Sequence, residues 1–190
     1  MAKIKKIKGR QVFDSRGNPT IEAEVYSDNG NHALAIIPSG ASTGTHEAFE
    51  LRDKENKNYL GKSVFKAVEN INGPIAKTLN NIDINDQTKI DKTLIDLDGT
   101  EQKKKLGANA ILAVSIASSK LAAIEKNTPL FKYLGNSKST QLPIPLLNII
   151  NGGVHAKNNL EIQEFMIRPE KVKSFSEAMR RSFLIIQNLK

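Results

Sequence analysis

The chain has 190 residues, a formal net charge of +8 and no cysteine. Its length suits one ordinary domain or a small domain with part of another, and 39% apolar with 25% charged residues is a globular rather than a disordered composition. The absence of cysteine excludes disulfides, thiolate catalysis and zinc sites built on sulfur.

The positive charge would attract polyanions of several kinds, including phosphorylated metabolites and nucleic acids. Aromatic residues make up only 5%, with no tryptophan, and none of the basic stretches alternates with the aromatic side chains on which single-stranded nucleic acid stacks. No apolar run of signal-peptide length follows the first lysines, and polar residues interrupt the most apolar stretch, 108–124. We therefore expect a cytoplasmic chain without a membrane span, and nucleic acid is not an expected partner.

The first part of the chain alternates apolar and polar residues, with turn residues between the alternating segments. This pattern predicts three short strands, Ile4–Phe13, Thr20–Tyr26 and Asn31–Ile37, in an antiparallel meander.

Helical periodicity follows the predicted strands. Apolar residues between 64 and 79 fall on one helix face, although Gly73-Pro74 must bend or interrupt that helix. A second helix begins at the N-cap Asp86 and ends before Gly99, and a third, apolar on most sides and expected to be buried, covers Gly107–Lys126. Strands followed by helices indicate an α+β domain, which we place at residues 1–125.

A second domain is predicted from residue 143 onward, after a linker at 126–142. Its apolar segments Pro143–Ile150 and Ile162–Ile167 read as strands, and the capping box from Ser174 to Glu177 opens a helix. Residues 143–190 thus contain the first elements of another domain.

One apparent motif fails on inspection. Gly61-Lys62-Ser63 resembles the end of a phosphate-binding loop, but that loop needs a glycine where Asn56 stands. Nucleotide hydrolysis is not expected.

The segment from Pro38 to Glu47 combines two glycines with four hydroxyl side chains directly after a predicted strand. Glycines allow close approach of the backbone to a ligand, and hydroxyl oxygens can ligate a hard cation such as Mg²⁺. The same composition also fits a surface turn, and the segment alone does not decide between the two.

The segment from Asn151 to His155 follows an apolar strand, the position at which α/β barrels carry their chemistry. Strand alternation puts Gln163 on one face of the next strand and Glu164 on the other, unless a bulge intervenes. A carboxylate in so apolar a run needs a partner, so Glu164 is a candidate site residue. A structural histidine and a buried ion pair are the alternatives.

Several unusual sequence blocks, taken together, resemble the enolase family from one end of the chain to the other. The blocks are Asp14-Ser15-Arg16-Gly17-Asn18-Pro19-Thr20, Pro38 to Gly44 with His46-Glu47, Lys105 to Leu112, Leu147 to Gly153 with His155-Ala156, and Gln163-Glu164-Phe165-Met166.

The resemblance implies an α+β amino-terminal cap followed by a TIM-type α/β barrel, two Mg²⁺ ions, and reversible dehydration of 2-phosphoglycerate to phosphoenolpyruvate in glycolysis and gluconeogenesis. It also implies a homodimer in the cytoplasm, with Arg16 at the dimer interface, although relatives occur at the cell surface or outside the cell without a signal peptide. An enolase-type site pairs a basic residue with Mg²⁺ that stabilises the enolate-like intermediate.

Site residues also follow from the resemblance. Ser42 corresponds to a ligand of the second Mg²⁺, carried on a loop that closes over the substrate, and Gly40, Ala41 and Thr43 shape that loop against the substrate.

In the second domain, His155 and Gln163 correspond to substrate-binding residues. Glu164 corresponds to the carboxylate near the departing hydroxyl and its activated water, so His155 and Glu164 are the predicted catalytic residues.

A complete barrel takes about 250 residues, whereas 143–190 holds only two strands and a helix. We therefore expect an incomplete fragment that lacks the family's proton-donor glutamate, lysine base and remaining Mg²⁺ ligands. Two alternatives remain: a non-catalytic binding fragment, such as a surface adhesin or a basic nucleic-acid binder, and a barrel completed by another polypeptide.

Overall fold

A computed structural model describes residues 1–38, 44–55, 57–135 and 140–189. The chain divides into two compact units, Met1–Ser137 and Lys138–Lys190. Unit 1 carries a sheet covered by helices, and unit 2 carries a two-stranded sheet and one long helix.

The sheet of unit 1 is an antiparallel meander. Strands β1 (Ile4–Phe13), β2 (Pro19–Ser27) and β3 (His32–Ile37) pair in the order β1-β2-β3. Along β3, buried residues alternate with exposed ones, as a sheet with one covered face requires. The predicted meander is confirmed.

The predicted interruption at Gly73-Pro74 takes the form of a π-helical turn. Helix α1 (Phe65–Asn70) leads into this turn at Ile71–Ile75, and helix α2 (Ala76–Leu79) follows it. Pro74 has no amide hydrogen to donate, and a widened turn accommodates it without ending the helical path. Buried apolar side chains continue along one face through all three segments: Val64, Ala67, Ile71, Ile75 and Leu79.

Two further helices complete the cover. In α3 (Gln87–Asp98), the Asp86 carboxylate accepts a hydrogen bond from the Lys89 amide (3.0 Å), and Gly99 ends the helix at φ 68°. Helix α4 (Ala108–Glu125) packs across β2 and β3. It is long and apolar enough to cross a membrane, yet just over half of it is buried inside unit 1, as in the core helix of a soluble domain.

A short helix, α5 (Leu130–Leu134), lies inside the range predicted as a linker. The Tyr133 ring packs against the core of unit 1, and burial raises the pKa of its hydroxyl, with Asp83 and Asp86 adding to the effect. Ordered structure in unit 1 thus extends beyond residue 125, while the division at 125 and 143 stays a prediction.

The outer edge of β1 is covered by one side chain. The Gly9 amide donates to Asn72 Oδ1 (2.8 Å), and Asn72 Nδ2 donates back to the Gly9 carbonyl (3.0 Å). A β-carbon at Gly9 would lie 2.9 Å from Ile71, so glycine is required for this approach. Asn72 in the π-helical turn thereby satisfies backbone groups that an edge strand otherwise leaves unpaired.

We predict that Asn72→Ala lowers the free energy of unfolding of unit 1 by about 1–3 kcal/mol, because it leaves the buried Gly9 backbone without partners. All three tyrosines lie in unit 1, so tyrosine fluorescence during urea denaturation reports on that unit. Thr78→Ala, an exposed change on α2, is the control. Equal stability of the two variants would contradict the assignment.

The turn between β2 and β3 is fastened to the end of α4 by one carboxylate. Glu125 accepts hydrogen bonds from the Ser27 hydroxyl, from Asn29 Nδ2 (2.8 Å) and from Asn31 Nδ2 (3.1 Å). The bond from Ser27, followed by those from Asn29 and Asn31, holds the pKa of Glu125 below its usual value, although burial opposes the shift.

A lowered pKa in the folded state means that the stabilisation is present above the unfolded value of 4.5 and is lost as pH falls through the folded value. We therefore predict that Glu125→Gln destabilises unit 1 at neutral pH, and that the difference in stability from the native chain narrows as the pH falls below 4.5. Urea denaturation followed by tyrosine fluorescence across this range measures it. A difference that does not change with pH would contradict the prediction.

Unit 2 begins with an extended stretch. Strand β4 covers Leu147–Asn151, shorter than the predicted Pro143–Ile150, because Pro143 and Pro145 cannot donate to a strand ladder. Strand β5 covers Glu164–Ile167.

Helix α6 covers Phe175–Asn188 and starts at the predicted cap. The Ser174 hydroxyl accepts from the Glu177 amide (3.2 Å), while the Glu177 carboxylate accepts from the Lys173 amide (3.1 Å).

Candidate functional site

The candidate site of unit 2 lies at one end of a β-hairpin. Strands β4 and β5 are antiparallel, with Asn151 opposite Glu164, and residues 152–163 connect them. Strands of a regular (β/α)₈ barrel are parallel, so the hairpin departs from that pattern. As a result, the end of β4 and the start of β5 meet, together with the residues of the connecting loop.

The connecting loop doubles back on itself at Gly152. The Gly152 amide donates to the Gln163 carbonyl (2.9 Å), and a β-carbon on Gly152 would lie 2.4 Å from the Ile162 carbonyl oxygen and 2.7 Å from Leu160 Cβ. The backbone torsions of Gly152 are extended, so the glycine is needed for space and not for its conformation.

His155 lies between two polar side chains. Its ring follows a 3₁₀ turn at Gly153–His155, with Nδ1 2.8 Å from Glu164 Oε1 and Nε2 2.7 Å from Gln163 Nε2. The side chains of His155 and Glu164 are 21% and 29% exposed, so the pair is partly shielded but still open to a ligand. The structure thus brings together the three residues of unit 2 that the resemblance singled out.

These contacts define one protonation pattern for a neutral ring. The amide nitrogen of Gln163 donates, so Nε2 of His155 accepts, and the ring proton is on Nδ1, where it donates to the Glu164 carboxylate. The ring is therefore oriented by a hydrogen bond at each nitrogen, and the carboxylate retains free lone pairs for a further donor.

The expected alternation, which put Gln163 and Glu164 on opposite faces of a strand unless a bulge intervened, does not apply, because Gln163 is not part of a strand. Strand β5 begins at Glu164, and Gln163 belongs to the bend before it, so both side chains reach the same ring. The tight return at Gly152 imposes this bend, and alternation applies only where the backbone is a regular strand.

The other predicted loop falls mostly outside the described residues. Gly40, Ala41, Ser42 and Thr43 all lie there. Residues on both sides of that loop, among them Pro38, Gly44 and Thr45, line a cavity of about 780 Å³ in unit 1, together with the basic side chains Arg52, Lys54 and Lys104.

Arg16 lies at the turn between β1 and β2 and is exposed. The Asp14 carboxylate accepts from the amides of Asn18 and Arg16 (2.9 Å each). These bonds, that from Asn18 foremost, lower the pKa of Asp14. The hydrogen bonds to Asp14 therefore hold the backbone of the turn at Arg16, whose side chain is exposed to solvent.

A magnesium site needs several oxygen ligands, usually including carboxylates. Among the described residues, no three His, Cys, Asp or Glu side chains are grouped so that they could hold a metal ion. The described side chains do not fit a complete magnesium site by themselves.

Comparison with known proteins agrees with this architecture of an α+β domain and the beginning of a barrel. Residues 4–134 match the family described as enolase, N-terminal domain, and residues 139–190 match enolase, C-terminal TIM barrel domain. The whole chain is 64% identical to the enolase of Pelagibacter ubique (strain HTCC1062). The chain belongs to the enolase family.

The chain spans 45% of the length of that relative. The expected fold class, an α+β amino-terminal domain followed by the start of a TIM barrel, is confirmed by the two domain matches. The antiparallel hairpin of unit 2 is accordingly the first part of that barrel domain.

Sequence reasoning did not select Asn158. Its side-chain nitrogen Nδ2 donates to the Asn151 carbonyl (2.9 Å), and its Oδ1 accepts from the Leu160 backbone amide (3.0 Å). An asparagine that accepts from the amide two residues ahead is a turn signal visible in a sequence. Its contact with the end of β4 required the folded loop.

We predict that Gly152→Ala opens the connecting loop, because the added carbon overlaps carbonyl oxygens that cannot move aside cheaply. The added carbon should destabilise the closed loop by about 1–3 kcal/mol. The Gly153 amide donates to the Leu160 carbonyl (2.7 Å), so its hydrogen exchange should accelerate about tenfold or more. Hydrogen exchange followed by NMR measures the rate. Val154→Ala, at an exposed position of the same turn, should leave it unchanged.

Proposed function

We propose that this chain is the amino-terminal part of an enolase that catalyses the Mg²⁺-dependent, reversible dehydration of 2-phosphoglycerate to phosphoenolpyruvate, a lyase reaction of glycolysis and gluconeogenesis. The observation that carries the proposal is the convergence of Gln163 and Glu164 on the His155 ring, in a chain 64% identical to an enolase. A cytoplasmic location accompanies the proposal.

Dehydration at this site needs a group that handles the departing hydroxyl. Glu164 is a carboxylate with lone pairs left over from its bond to His155, so it can accept a hydrogen bond from the departing hydroxyl, or from the water of the reverse reaction. The proton that turns the departing hydroxyl into water comes, in this proposal, from the proton-donor glutamate that the resemblance implies. His155 and Gln163 bind and orient the substrate beside it. A carboxylate held by a ring is already positioned before the substrate arrives, which lowers the entropic cost of reaching the reactive geometry.

The loop in unit 1 supplies the remaining contacts in this proposal. Ser42 is the proposed Mg²⁺ ligand, and Gly40, Ala41 and Thr43 are small enough to lie against the substrate when the loop closes. Enolases use Mg²⁺ as a family, and the ion supplies positive charge that stabilises an enolate-like intermediate. Among the described residues, no group of three or more His, Cys, Asp or Glu side chains supplies the rest of such a site.

Activity is proposed for the complete barrel and not for these 190 residues alone. The described residues of unit 2 form two strands, whereas eight strands close a barrel, and many large apolar side chains among them are exposed. Such a surface is normally covered by further elements of a domain. In this proposal, the rest of the barrel also supplies the lysine base and the proton-donor glutamate that the resemblance implies.

A homodimer is part of the same proposal, with Arg16 at the interface. The residue is exposed on a turn whose conformation Asp14 fixes, which suits a contact between rigid surfaces. Sedimentation of a complete protein carrying Arg16→Ala tests this assignment.

We predict that the 190-residue chain alone does not form phosphoenolpyruvate, whereas a fusion of residues 1–190 to the remaining carboxyl-terminal part of the Pelagibacter relative does. In that fusion, Glu164→Gln should lower kcat by about 10²–10⁴-fold, because it removes an acid–base group. Ultraviolet absorbance of phosphoenolpyruvate, with Mg²⁺ and 2-phosphoglycerate, measures the rate.

The matched control is Glu161→Gln, at an exposed carboxylate three residues earlier in the same loop. This variant should retain the activity of the fusion. An inactive but folded fusion would contradict the proposed reaction, and equal losses in the two glutamine variants would contradict the role of Glu164.

A further inference from the structure

The loop between β4 and β5 must bring the chain back so that residues 163 and 164 reach the ring at 155. Two backbone hydrogen bonds close it, from Gly152 to the Gln163 carbonyl (2.9 Å) and from Gly153 to the Leu160 carbonyl (2.7 Å). Both bonds start from the two glycines at the beginning of the loop, before the histidine. The His155 amide also donates to the Gly152 carbonyl (3.0 Å) within the 3₁₀ turn, so the remaining backbone to be held against β4 is that of residues 156–159.

Asn158 holds this segment against β4. Its Nδ2 donates to the Asn151 carbonyl at the end of β4 (2.9 Å), its Oδ1 accepts from the Leu160 amide (3.0 Å), and its own amide donates to the Ala156 carbonyl (3.0 Å). The Asn158 side chain therefore links Asn151, the last residue of β4, to the middle of the loop. It also binds Leu160, whose carbonyl accepts the loop-closing hydrogen bond from Gly153. Both polar atoms of the Asn158 side chain, Nδ2 and Oδ1, are therefore engaged in hydrogen bonds.

We propose that Asn158 is a positioning residue for His155. By fixing the loop against the end of β4, it holds the ring where Nδ1 faces Glu164 and Nε2 faces Gln163. The importance of this role for turnover rests on the proposed function, whereas the geometric role does not.

Because Asn158 is exposed, its positioning role can be distinguished experimentally from a purely structural role. Its side chain belongs to no apolar core, so its removal takes away two local hydrogen bonds and leaves the packing of α6 and the strands unchanged. The effect should appear at the ring of His155, three residues away, and not in the fold of unit 2. The ring reports its own state, since the hydrogen bond at one nitrogen sets the tautomer at the other.

The experiment uses the ¹⁵N-labelled 190-residue chain and NMR correlations between the ring protons and ring nitrogens of histidine. The chain has only three histidines, so His155→Gln assigns the signals of His155 by their disappearance. The variants are Asn158→Ala, which removes both bonds, and Asn158→Asp, which keeps the acceptor for Leu160 but loses the donor to Asn151. Asn159→Ala, at the adjacent exposed asparagine, is the matched control.

At neutral or slightly alkaline pH, the native chain should have the His155 proton on Nδ1. Both Asn158 variants should shift the ring toward an averaged mixture of tautomers, and the Asn159 variant should match the native chain. A native ring without a preference for Nδ1, or an Asn158→Asp variant that keeps the native tautomer, would overturn the proposal. Loss of the α6 amide signals in Asn158→Ala would also overturn it, because Asn158 would then be needed for folding.

Kinetics in the fused enzyme separate this proposal from the proposed function. There, Asn158→Ala should lower kcat/KM by about tenfold, as the loss of a supporting hydrogen bond does elsewhere, while Asn159→Ala does not. If the fusion with native loop sequence makes no phosphoenolpyruvate, the proposed function fails, and the NMR result still decides whether Asn158 positions His155.

Discussion

Small side chains between α4 and the sheet set the distance at which the two layers of unit 1 pack. Helix α4 contributes the alanines at 110, 113 and 117 to the core cluster, and the strands contribute Ala23 and Ala35, all essentially inaccessible to water. A larger residue at any of these positions would push the layers apart, since interiors are close-packed and tolerate little added volume. The rest of unit 1 is arranged around the helix in this position.

Both ends of α4 then fasten loops that the sheet alone could not hold. At its start, the Asn109 side chain accepts from the Leu51 amide and donates to the Leu51 carbonyl (3.1 Å each). At its end, Glu125 fastens the turn between β2 and β3. The start of α4 thereby holds the backbone at Leu51 by two hydrogen bonds.

A comparable constraint governs unit 2 on a smaller scale. Gly152 lets two carbonyl oxygens approach where any side chain would collide with them, and this approach sets the return path of the loop. The proposed chemistry depends on that path, because it places an amide and a carboxylate from adjacent residues against one ring.

The sequence by itself determined the three strands of unit 1, the ends of α3 at Asp86 and Gly99, the interruption at Pro74 and the family, because alternation, caps and unusual motifs are local signals. It also selected His155, Gln163 and Glu164 as a group. Only the tertiary structure decided that Gln163 and Glu164 share one ring, that Asn72 covers the edge of β1 at Gly9, and that Asn158 bridges to β4. These contacts join residues whose separation along the chain follows no helical or strand period, so local sequence patterns do not predict them. They form because buried or closely approached backbone groups must find hydrogen-bond partners wherever the fold places them.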